Sequence, residues 1–209
     1  MLPEQPIYSE VVARLKTGES MADIGAFIGQ DLRRLVWDGA PSDKLYAVDI
    51  VSHWDVGYFF FQDKGRFSAQ YVDGDILRPG NELSPLFGKL DMINVNCVIH
   101  QWDIPAQKEA SANLVALTKS QPGSLIMGSQ VGTSGGRKVG PDEQTKSPYF
   151  MHSPETWKQM WMEVSEQTGT KWSCDVQLRT WEDMGFDTKE TAYLGEDTGM
   201  LVFHLRRIE

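Results

Sequence analysis

Residues 21–36 read MADIGAFIGQDLRRLV, a short apolar run with an acid in it, a turn bounded by Gly25 and Gly29, and then Leu32, Leu35 and Val36 at helical spacing. The pattern predicts a strand over 21–24, a tight turn and a helix that stops at Gly39 and Pro41. Glycines at 25 and 29 let the backbone turn sharply and bring a ligand close to a helix N-terminus.

Working outward, Leu45 to Ile50 is a compact apolar run ending in an acid, as a buried parallel strand ends, and it completes one strand–helix–strand unit. The alternation continues with a helix near 53–62, a strand near 69–72, a strand at Leu90–Val95, a helix near 105–119 and a strand from Ser124 to Gln130. Upstream, Ile7, Val11, Val12 and Leu15 share a helical face that Gly18 closes. Ser153 and Pro154 form an N-cap and first-turn pair ahead of Trp157, Met160, Trp161 and Val164, a stripe expected to pack as core or in a dimer. Residues 171–178 and 199–205 read as a terminal antiparallel pair. The expected fold is therefore α/β, Rossmann-like, with a seven-stranded, mostly parallel sheet whose last strand is antiparallel. Val131 to Pro148, rich in Gly, Ser, Lys and Pro, is expected to be irregular, and 131–148 is either a lid or a disordered loop.

With 209 residues, 41% of them hydrophobic, the chain suits one domain, 1–209, with one sizeable core. Net charge is −9, which sets the overall field against a nucleic-acid partner. The pairs Arg33-Arg34, Arg137-Lys138 and Arg206-Arg207 are too short for a phosphate-binding stripe and are expected to be solvated. Cys97 and Cys174 lack paired spacing, so free thiols are expected and no metal site. No signal-like or membrane-length apolar run occurs, which predicts a cytoplasmic protein with no membrane partner.

The candidate site gathers at the carboxyl ends of adjacent strands, where open α/β sheets bind ligands. Asp23, Gly25 and Gly29 form the first turn. Asp49 follows Gly29 by twenty residues, the spacing at which a carboxylate meets ribose hydroxyls. Asp75 is placed to meet an adenine amino group, Ile76 to cover the ring, and the strand ending at Asn96 faces the same crevice. A dinucleotide fingerprint would need glycine where Phe27 stands, and a pyrophosphate would be crowded there. S-adenosylmethionine carries no phosphate and suits the turn better. His100 and His152, each following an element expected to end at the crevice, are the candidate bases. Trp54, Trp102 and Tyr149 are the candidate aromatic walls for a sulfonium or an aromatic substrate.

The strings DIGAFIGQDLRRL (23–35), WDGAP (37–41), LYAVDI (45–50), GYFFFQD (57–63), VIHQWD (98–103), PGSLIMGSQVG (122–132) and FMHSPETW (150–157) resemble fungal S-adenosylmethionine-dependent methyltransferases of secondary metabolism. The resemblance extends over residues 5 to about 180. It implies cofactor contacts from Asp23, Gly25, Gln30 and Asp49, adenine contacts from Asp75 and Ile76, and a methionine-side contact from Asn96. It implies methyl transfer to a hydroxyl or carboxylate of a small natural product. Two departures are visible. Such enzymes usually carry further N-terminal helices over the pocket, so an open pocket, or one completed by another subunit such as a homodimer partner, is expected here. Phe27 stands where relatives carry small residues and is expected to narrow the donor site. These departures motivate two rivals: a cyclase, isomerase or pericyclase of the same fold that transfers no methyl group, and a non-catalytic partner subunit.

Overall fold

The computed structural model describes residues 2–141 and 146–209. The strands are β1 (Met21–Ile24), β2 (Leu45–Asp49), β3 (Gln70–Asp73), β4 (Met92–Asn96), β5 (Leu125–Thr133), β6 (Arg137–Val139), β7 (Tyr149–Met151), β8 (Trp172–Arg179) and β9 (Thr198–Arg207). The helices are α1 (Tyr8–Lys16), α2 (Gln30–Trp37), α3 (Trp54–Phe61), α4 (Ile104–Leu117), α5 (Pro154–Thr168) and the short α6 (Thr188–Thr191). Seven strands form one sheet in the order β3-β2-β1-β4-β5-β9-β8. The first five are mutually parallel, and β9 runs antiparallel to both β5 and β8. The expected fold class is borne out.

Alternation along β1 separates two cores, one on each face of the sheet. Ala22 and Ile24 face a cluster with Leu114 and Val115 of α4, Trp157 and Trp161 of α5, and Phe203 of β9. Met21 faces the other, with Val11 and Leu15 of α1, Leu32 and Leu35 of α2, and Trp54 of α3. This period of two is what places helices on both sides of the sheet. The aromatic stripe of α5 is core, as its helical spacing implied. Local signals fix the helix ends: Asp103 caps α4, and α5 opens with a reciprocal bond pair between Ser153 and Thr156 and closes on Gly169 at φ 62°.

Two expectations need correction. The stretch 131–148 is not irregular throughout: β5 continues to Thr133 because β9 is long enough to pair with it there, and β6 pairs with β7 as a hairpin. The centre of the expected lid, 142–145, lies outside the described residues. Arg33 is not a solvated charge. Its guanidinium is buried among Trp54, Tyr58, Phe61 and Phe67, and it binds Asp63 through Nε at 2.7 Å. A buried cation needs such an anion and hydrogen-bond set. Among the described residues no helix is long and apolar enough to cross a membrane.

Candidate active site

The crevice at the carboxyl ends of β1–β4 has a volume of about 440 Å³ and is lined by Gly25, Asp49, Asp75, Ile76, Asn96, Gln101 and Trp102, among others. Gly25 shows why its position excludes a side chain. Its φ is +73°, and a Cβ there would stand 2.4 Å from Val98 Cγ2. Asp49 is held at the end of β2, where its Oδ2 accepts from the Phe27 amide at 2.9 Å. One carboxylate thus ties the β1–α2 turn to the second strand, while its Oδ1 accepts from the Val51 amide at 3.3 Å. Asp75 accepts from the Leu77 amide at 2.8 Å, and Asn113 donates to the Ile76 carbonyl at 2.9 Å, fixing the loop after β3.

Asp23 and Asn94 are partners in register on β1 and β4, and Asn94 Nδ2 donates to Asp23 Oδ1 at 2.7 Å. Asn96 continues the chain, donating to Asn94 Oδ1 at 3.2 Å and to Asp31 Oδ2 at 3.0 Å. Burial pushes the Asp23 carboxyl well above the ordinary range, and the nearby Asp31 pushes it further. Burial also raises Asp31. Asp31, Asn94 and Gln5 escaped the sequence reading. Asp31 sits one residue into a helix after a glycine turn, where an acid reads as a favourable helix-start charge.

The remaining expected residues separate. Gly29 lies behind the crevice wall, where a Cβ would meet the Trp54 ring at 2.5 Å. Gln30 is exposed and borders a different cavity, beside Arg33 and Trp37 on the far side of α2. Trp54 is buried in the core under Gly29. Phe27, at φ 51°, turns its half-exposed ring onto His53, with centroids 4.9 Å apart, and does not line the crevice.

A second cavity, about 460 Å³, is lined by His100, Gln101, Val131, Lys146, Ser147, Tyr149, Met151 and Leu194. Gln101 belongs to both walls, so the two cavities adjoin. His100 Nδ1 is buried without a hydrogen-bond partner among the described residues, and burial lowers the imidazole to about 4. His152 lies elsewhere. Its ring is buried between Phe150 and Trp157, with Nδ1 3.0 Å from Thr156 Oγ1, and burial lowers it to about 4 as well.

The fold is that of the class I S-adenosylmethionine-dependent methyltransferases. A methyltransferase of Burkholderia thailandensis bound to S-adenosylhomocysteine superposes with a TM-score of 0.62 at 16% identity, over 99% of this chain and 80% of that one. The [4+2]-cyclase SpnF shares the fold equally, with a TM-score of 0.62 at 12% identity over 95% of this chain and 78% of that one. By sequence the chain is a homologue of fungal methyltransferases, as the resemblance implied. It is 34% identical over 186 residues to O-methyltransferase phiE of a fungal species, covering 87% of this chain and 61% of the relative. It is 32% identical over 184 residues to methyltransferase ausD of Penicillium brasilianum, covering 87% and 64%. With O-methyltransferase atr3 of Stereocaulon alpinum it shares 30% over 183 residues, covering 86% and 53%. The chain thus spans about half to two thirds of the length of these relatives. No family model matches it.

Proposed function

We propose that the chain is the donor-binding, catalytic part of an S-adenosylmethionine-dependent methyltransferase acting on a hydroxyl or carboxylate of a small, largely apolar natural product. The observation that carries this reading is the crevice of about 440 Å³ in which Asp49, Asp75 and Ile76 stand on successive strand ends beside a glycine turn. The donor set suits the cofactor's chemistry: a carboxylate for a ribose diol, and a carboxylate and an apolar side chain for adenine, with no Lys or Arg among the described residues that line the crevice. When bound, S-adenosylmethionine supplies an electrophilic methyl group on a sulfonium.

The chain's own contribution is placement. Methyl transfer proceeds in line, so holding acceptor and donor at near-attack separation provides most of the rate. The cavity lined by His100 and Tyr149 holds the acceptor, and Gln101 marks its junction with the donor crevice. His100, neutral above about pH 4, receives the acceptor's proton where the acceptor has one. So weak a base suits an acidic hydroxyl, such as a phenol or enol, and a carboxylate needs none. His152 supports the core from inside. Gly29 and Gln30 act on the shape of the turn and on the helix start. The cyclase rival rested on two departures, Phe27 and the N-terminal helices that such enzymes usually carry, and the orientation of the Phe27 ring onto His53 removes the first of these motives.

Calorimetry with S-adenosylhomocysteine tests the reading. The wild type is expected to bind, and Asp49→Ala to bind about 10- to 100-fold more weakly, as expected when a hydrogen bond to a charged group is lost. A wild type that binds neither S-adenosylhomocysteine nor S-adenosylmethionine sinks it.

A further inference from the structure

The stretch 50–62, IVSHWDVGYFFFQ, runs from the end of β2 through α3 and carries one formal charge, Asp55, in a chain of which 23% is charged. The core uses only part of it. Trp54 and Gly57 are buried, whereas Val56, Phe59 and Phe60, at i, i+3 and i+4, share the opposite face of α3 and are 56%, 79% and 69% exposed. Ile50 and Val51, 66% and 53% exposed, carry this face to the crevice, which Ile50 also lines. The half-exposed Phe27 ring joins the same rim through its contact with His53.

A large aromatic side chain presents about 200 Å² when open, so these residues together leave roughly 600 Å² of apolar surface uncovered. A monomeric protein seldom exposes more than about 600 Å² in one apolar patch, and each partner gives about 800 Å² to a standard interface. Aromatic side chains with few charges among them are the composition of an interface core.

The edge of the face selects the partner. Asp55 and Lys64 flank it with side chains 91% and 78% exposed, Lys64 Nζ lying 3.6 Å from Asp55 Oδ1. A partner of one sign would meet a like charge there, and an anionic membrane would meet the field of a chain with net charge −9. A second copy is complementary to it. A two-fold axis across α3, halfway between positions 55 and 64, passes between Phe59 and Phe60. It lays the two helices antiparallel, sets the phenylalanines of one copy on those of the other, and brings each Asp55 beside the partner's Lys64. We propose that α3 and the residues leading into it form the two-fold interface of a homodimer, with the second copy standing at the mouth of the crevice.

Sedimentation velocity on the purified chain between about 1 and 100 μM tests this. The wild type is expected to be a dimer at the upper end. Phe60→Glu, at the centre of the face, is expected to raise the dissociation constant more than about tenfold, and Ile50→Glu, at its rim, about threefold. Tyr193→Glu alters an equally exposed aromatic between β8 and β9, at the other edge of the sheet, and is expected to change nothing. Asp55→Lys should weaken the dimer, and adding Lys64→Asp should restore it. All these side chains are exposed, and far-ultraviolet circular dichroism checks that each variant is folded. A wild type that stays monomeric at about 100 μM overturns the proposal. Binding of that monomer to phosphatidylcholine vesicles would assign the face to a lipid surface instead. A dimer left as tight by Phe60→Glu and Ile50→Glu also overturns it, because another face would then hold the copies together. Failure of the double charge exchange to restore the dimer overturns the antiparallel arrangement.

Discussion

His152 has a ring 1% exposed, an Nε2 with no partner among the described residues and an imidazole lowered by burial to about 4. Between pH 6.5 and about 4 the unfolded chain protonates this imidazole and the folded chain does not. Stability is therefore lost as pH falls through that window, by up to about 3 kcal/mol for a shift of this size. Asp23 and Asp31 act with the opposite sign, because their raised carboxyls hold protons in the fold that the unfolded chain releases. The two effects are separated by comparing urea unfolding at pH 7 and pH 4.5 for the wild type and His152→Phe. The variant is expected to lose less stability on acidification than the wild type. Equal losses would mean that the imidazole titrates in the fold as it does in water. Residues that line the crevice, such as Gly25 and Asp49, announce themselves through a turn and a spacing. Gln5, Asp31 and Asn94 are visible only once three separated segments meet, and a buried glutamine ahead of a helix carries no pattern of its own.

At the scale of elements, α5 shows how local sequence fixes a boundary. Ser153 Oγ accepts from the Thr156 amide at 3.3 Å, and Thr156 Oγ1 accepts from the Ser153 amide at 2.8 Å. Thr156 also meets His152, so the cap fixes the imidazole as well as the helix. Ser153→Ala should cost about 1–2 kcal/mol, read from the shift in urea midpoint at constant slope. No shift would show that the packing of Trp157 and Trp161 alone sets the helix start. Elements of this kind were legible because their caps and apolar periods lie within a few residues. β6 and β7 were not. Three-residue strands in a Gly- and Lys-rich stretch show no alternation, and their pairing comes from tertiary position, with Arg137 tied to Asp197 at the head of β9.

For the whole molecule, the parallel part of the sheet followed from the alternation of strands and helices, whereas the insertion of β9 between β5 and β8 depends on which edges meet in three dimensions. The two-faced sheet has a thermodynamic consequence. The two hydrophobic clusters occupy opposite faces of one sheet, and β1, β2, β4 and β5 each contribute to both. Neither cluster can be lost without unpairing strands on which the other depends, so the described chain should unfold in one cooperative step. Near-ultraviolet and far-ultraviolet circular dichroism should give coincident thermal transitions. A donor-site ligand at about 100 times its Kd adds about 2.7 kcal/mol to the folded state. For a chain of 209 residues that is about 5–10 °C in Tm, and the whole transition should move together. If S-adenosylhomocysteine shifts one probe and leaves the other in place, the α1–α2–α3 face and the α4–α5 face unfold separately, and the chain is not one cooperative unit.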